Sequence, residues 1–94
     1  MSEPKPTEFK KKPVAVTAMQ FTGKNGKAVV EWVKSLGGEV RNGGSYLKIE
    51  TLEGLMTAHK GSMIVCGIAG EFYPVQKDIF IKTYSIPKTF EFAV

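Results

Sequence analysis

Residues 14–38 read VAVTAMQFTGKNGKAVVEWVKSLGG, and this stretch decides the fold class. Val14-Ala15-Val16-Thr17-Ala18-Met19-Gln20-Phe21 is β-branched and apolar on both alternating faces, the pattern of a strand covered on both sides and placed at the centre of a sheet. Thr22-Gly23-Lys24-Asn25-Gly26 closes that strand with turn formers, and Asn25 is placed to cap the next element by accepting a backbone N–H bond. From Lys27 to Leu36 the residues Val29, Trp32, Val33 and Leu36 recur at helical spacing and form one apolar stripe. Lys27, Glu31 and Lys34 decorate the rest of that helix. Gly37-Gly38 ends it, because glycine takes the left-handed conformation of a helix C-terminus without steric cost.

Toward the C-terminus the period changes from helical to alternating. Glu39-Val40-Arg41 and Tyr46 to Leu52 flank Asn42-Gly43-Gly44, whose first pair is a two-residue hairpin signal, with Leu47 and Ile49 expected inward. Glu53-Gly54 turns into Leu55 to His59, and Lys60-Gly61-Ser62 turns into Met63-Ile64-Val65-Cys66. Gly67-Ile68-Ala69-Gly70 reads as a four-residue loop returning through Glu71 to Val75, an edge strand because Pro74 has no N–H to donate. Asp78 can cap a helical turn through Tyr84, although Ile79 and Ile81 suit a strand equally. Phe90, Phe92 and Val94 alternate like a final strand. The expected fold is therefore α+β: one helix packed on a mostly antiparallel meander of about five short strands.

Toward the N-terminus, residues 1–12 combine Pro4, Pro6 and charge with a single large apolar residue, Phe9, and read as a flexible basic arm. Residues 13–94 read as a single α+β domain. The formal net charge is +4, and the arm's Lys5, Lys10, Lys11 and Lys12 against Glu3 and Glu8 supply half of it. With Arg41 as the only arginine and the remaining charge nearly balanced, specific nucleic-acid recognition is not expected. Apolar runs of a few residues exclude a spanning helix of about 20 residues, and a cytoplasmic location is expected.

The stock of chemically active side chains is thin. His59 is the only histidine and Cys66 the only thiol, and Cys66 sits in an apolar run where a buried, inert sulfur is expected. Two such ligands do not make a zinc site, and no glycine cluster has the spacing of a phosphate loop. The chain is expected to be no enzyme and to hold no cofactor. Binding is the remaining chemistry. On the Glu71 to Val75 strand, Phe72 should face inward and Tyr73 outward, so Glu71 and Tyr73 are the candidate binding residues for a protein partner. A small-ligand pocket would instead need Arg41 and Lys77 to converge with them.

The succession Lys11-Lys12-Pro13-Val14, Ala18-Met19-Gln20-Phe21-Thr22-Gly23 and a helix containing Trp32 resembles the opening of small uncharacterised phage and prophage proteins. Thr51-Leu52-Glu53-Gly54, Met56-Thr57-Ala58, Gly61-Ser62-Met63-Ile64, Gly70-Glu71-Phe72-Tyr73-Pro74 and Asp78-Ile79-Phe80 with Thr83-Tyr84 are similar to that family's C-terminal half. The same half is similar to the domain named for a Pro-Gly-Asp-Tyr-Gly motif. The chain departs at Lys60-Gly61-Ser62, where that motif has Pro-Gly-Asp. The resemblance implies a phage accessory protein, and with it a bacterial host protein, a defence or regulatory component, as the expected partner. A nucleotide-like small molecule is the alternative ligand.

Overall fold

A computed structural model describes residues 4–10 and 12–93. Its elements in chain order are β1 (Thr17–Gln20), α1 (Gly26–Ser35), β2 (Val40–Asn42), β3 (Tyr46–Thr51), β4 (Gly54–His59), β5 (Met63–Cys66), β6 (Phe72–Val75) and α2 (Lys77–Thr83). The strands form two antiparallel three-stranded sheets, ordered β1-β5-β6 and β2-β3-β4. The expectation of one helix on a single five-stranded meander is thereby corrected to two helices and two sheets.

The division falls at Lys60-Gly61-Ser62. There Phe21 takes the backbone that a β4–β5 hairpin would need: its N–H donates to the Ser62 carbonyl at 2.8 Å and its carbonyl accepts from the Gly61 N–H at 2.7 Å. Two residues thus oppose one, as in a β-bulge, and Gly61 carries the φ of +96° that the kink demands. β5 is steered onto β1 instead of β4. The driving force is the composition of β5, whose Met63, Ile64 and Val65 are all buried and therefore need cover on both faces. β5 holds the central position, and β1, with Thr17 exposed, is an edge strand rather than the expected centre.

Two cores flank the β1-β5-β6 sheet. Ile64 and Phe72 join Phe21, Val29 and Val33 with Val40, Leu47, Ile49 and Ala58 of the second sheet, so Leu47 and Ile49 do point inward. On the opposite face Met63 and Val65 meet Phe80 of α2, with Tyr73, Tyr84, Ile86, Phe90 and Phe92 packed around them. The segment after Tyr84 covers this face without forming a strand. Phe90 and Phe92 meet edge to face at 4.9 Å, and Val94 lies outside the described residues.

α1 follows the expected stripe with two corrections. Leu36 is the C-cap and is 54% exposed, because the helix turns away before the stripe's fourth residue reaches the core. Its end is a Schellman motif: Gly38 N–H donates to the Val33 carbonyl and Gly37, at φ +86°, to that of Lys34. Asn25 is the N-cap by position but makes no side-chain cap bond. Its Oδ1 accepts from Thr22 N–H at 2.8 Å and its Nδ2 donates to the Gln20 carbonyl at 2.7 Å, so it fastens the β1–α1 turn instead.

Two turns also shift. Gly43 pairs with Tyr46, which puts the hairpin turn at Gly44-Ser45 rather than Asn42-Gly43. Gly67 pairs with Glu71, which leaves the three residues Ile68-Ala69-Gly70 as the loop instead of four. Residues 78–83 resolve as helix with Tyr84 as its extended C-cap, and the N-cap position belongs to Gln76, with Asp78 in the first turn. Residues 4–10 and 12–16 carry no secondary structure, and Phe9 is 88% exposed. Among the described residues no helix is long and apolar enough to cross a membrane.

Candidate functional site

A trough runs between β4 and β6, where the two sheets meet. At one end a depression of about 360 Å³ is lined by Thr51, Leu52, Glu53 and Met56 of the β3–β4 hairpin and by Glu71, Phe72, Tyr73 and Pro74. A second depression of about 350 Å³ shares Met56 and Pro74 and continues past His59 and Gln76 to Ile79 at the first turn of α2. Apolar side chains are open to solvent along it: Leu52 is 82% exposed, Met56 38% and Ile79 50%. At the hairpin end, Glu53 and Glu71 are, among the described residues, the ionisable groups lining the trough apart from Tyr73.

The register explains why side chains, rather than backbone, are on offer here. Gly67 N–H bonds the Glu71 carbonyl at 2.8 Å, so Gly67–Glu71 is a hydrogen-bonded pair, and alternation makes Val65–Tyr73 the next one. Phe72 and Pro74 therefore direct their backbone groups to the free edge, and Pro74 has no N–H to give. The row of donors that would template an added strand is broken at that point.

Of the sequence-derived site residues, Glu71 and Tyr73 do line the trough. Glu71 is half-buried and its carboxylate folds back over Gly67, accepting from the Ala69 N–H at 3.2 Å, which holds the loop shut. Phe72 is buried as expected. Tyr73 is not the free outward aromatic: it is half-buried in the second core, with its hydroxyl 3.4 Å from that of Tyr84. Arg41 stands on β2, in a separate surface depression with Glu39, Lys48, Glu50 and Leu55. Lys77 opens α2 with its ammonium 5.1 Å from the Phe92 ring centre. The four residues do not converge, because strand order puts β2 at the far edge of the second sheet. His59 and Cys66 lie on strands of different sheets rather than on neighbouring strands, and among the described residues no group of three or more His, Cys, Asp or Glu could hold a metal ion.

Leu52 and Met56 were missed as surface residues, although a signal existed. Leu55 and Met56 are adjacent on one strand, so alternation must expose one of two large apolar side chains.

The Tyr73 hydroxyl is pushed up from 10.0 to about 12, first by burial, then by its hydrogen bond to Tyr84 and by the charges of Tyr84, Glu71 and Cys66. Between those two values the unfolded chain releases a proton that the folded one keeps. The stability that Tyr73 contributes by staying neutral is thus complete below pH 10 and lost as pH rises through about 12. Tyrosinate absorbance is expected to show an ionisation near pH 12 that Tyr73→Phe removes. A titration curve unchanged by that substitution would contradict the assignment.

Comparison of the chain with protein-family models, with curated proteins and with solved structures finds no match.

Proposed function

We propose that this chain is a non-catalytic phage accessory protein that acts in the host cytoplasm by binding a bacterial host protein, a defence or regulatory component, through the β4–β6 trough. The observation that carries the reading is the exposed apolar strip of Leu52, Met56 and Ile79 beside Tyr73 and Pro74. Clustered apolar side chains left in water beside a groove are what a protein partner covers. A standard interface needs roughly 800 Å² per partner. The resemblance of residues 11–84 to phage proteins supports the setting. The small-ligand alternative has less support, since Arg41 and Lys77 stand apart from Glu71 and Tyr73.

The test is affinity capture from the bacterial host with parent, Met56→Glu and Leu52→Asp proteins in parallel. Leu52 is 82% exposed, so Leu52→Asp should change stability by no more than about 0.5 kcal/mol, while Met56→Glu, at a side chain 38% exposed, is compared once thermal melting shows it folded. A hot-spot loss of at least about 2 kcal/mol, roughly 30-fold in affinity, is expected for the captured protein. Retention of that protein at parent levels by both variants would place its docking surface elsewhere.

A further inference from the structure

We infer that the trough also receives the N-terminal arm of a second copy of this chain, so that two copies exchange arms. The inference rests on the reading of the trough as a protein-docking surface and names an occupant for it. The hairpin end of the trough presents Leu52 and Met56 between two carboxylates, Glu53 and Glu71, and among the described residues no lysine or arginine lines it. The arm has the complementary pattern. Phe9, its one large apolar residue, is 88% exposed, and Lys10, Lys11 and Lys12 follow it directly. An aromatic anchor followed by cations fits an apolar groove bordered by carboxylates, because the ring removes apolar surface from water while the charges fix the register.

Geometry favours exchange over folding back. The arm leaves the sheet at Thr17, opposite Cys66, which in turn opposes Phe72, so it departs from the trough end of the sheet but from the far edge, beyond β5. Residues 4–10 are exposed along their whole length, and the radius of gyration is 15.6 Å, where a compact chain of this length has about 12 Å. From Thr17 to Phe9 the extended chain spans up to about 26 Å, enough to reach a neighbouring molecule. Reciprocal exchange of two arms gives a closed twofold dimer.

The experiment is sedimentation equilibrium of the full chain over a range of concentrations at low and high salt. The parent is expected to dimerise, less strongly at high salt. Phe9→Ala, which alters the arm alone, and the double variant Glu53→Lys with Glu71→Lys, which alters the trough alone, should each weaken self-association by at least about tenfold. Glu53→Lys by itself, which leaves the Glu71 bond to Ala69 intact, should weaken it in the same direction. A monomeric parent at every concentration, or self-association unchanged in the variants, would each overturn the inference. None of these readouts involves the host partner, so dimerisation without trough-dependent capture would refute only the proposed function, and the reverse only the arm exchange.

Discussion

Replacing Phe72 by alanine is expected to destabilise the protein by about 3–5 kcal/mol, the range for truncating a buried aromatic ring. Phe72 is 3% exposed and ties three elements together. It sits on β6 and meets the Trp32 ring of α1 edge to face at 5.4 Å. It also underlies Gly38, where an added Cβ would lie 2.7 Å from its ring. That close approach leaves no slack for neighbours to collapse into the space a truncation opens, so the cavity penalty adds to the lost burial. For a domain of this size each kcal/mol moves the midpoint by about 4–8 °C, so thermal melting should fall by at least about 12 °C. Phe72→Leu should recover much of the loss by keeping apolar volume. A Phe72→Ala midpoint within a few degrees of the parent would show that β6 does not anchor the first core.

The second large effect is expected at Gln20, the one buried polar side chain among the described residues. Its Nε2 donates to the Gly61 carbonyl at 3.1 Å and its Oε1 accepts from the Ala93 N–H at 2.6 Å. One amide therefore joins β1, the bulge that separates the sheets and the C-terminal segment that covers the second core. Gln20→Leu leaves both backbone groups without their partner and should cost about 1–3 kcal/mol. The loss should be concentrated in residues 84–93, read as faster amide exchange there. Gln20→Glu, at a pH where it is ionised, keeps an acceptor for Ala93 but cannot donate to Gly61. It should keep C-terminal protection while still lowering the melting midpoint. Equal exchange in parent and Gln20→Leu would remove Gln20 from this role.

The site was legible in proportion to how local its signals were. Glu71 and Tyr73 could be placed on a returning edge strand because Pro74 forbids a central one, and β6 is an edge. Alternation also put Phe72 inside. That Tyr73 is half-covered depended on Tyr84, eleven residues away at the C-cap of α2, beyond a segment whose residues suit a helix or a strand equally. Arg41 and Lys77 failed to join the site for the same reason: convergence depends on strand order, and strand order is not encoded in spacing.

The sequence by itself determined where chain elements lie and which faces they bury, since both follow from interactions within a few residues. The Val29-Val33 stripe of α1, the glycine-terminated end of that helix, and Leu47 and Ile49 facing inward on β3 are of this kind. Only the tertiary structure decided the partition into two sheets. A three-residue turn at Lys60-Gly61-Ser62 looks the same whether β5 returns along β4 or crosses to β1. The choice is made by Phe21, some forty residues upstream, which bonds the Gly61 and Ser62 backbone. It goes with the burial of Met63, Ile64 and Val65 between the two cores on either face of β5. The trough arises from that same choice, because β4 and β6 become facing edges of separate sheets with apolar side chains open between them.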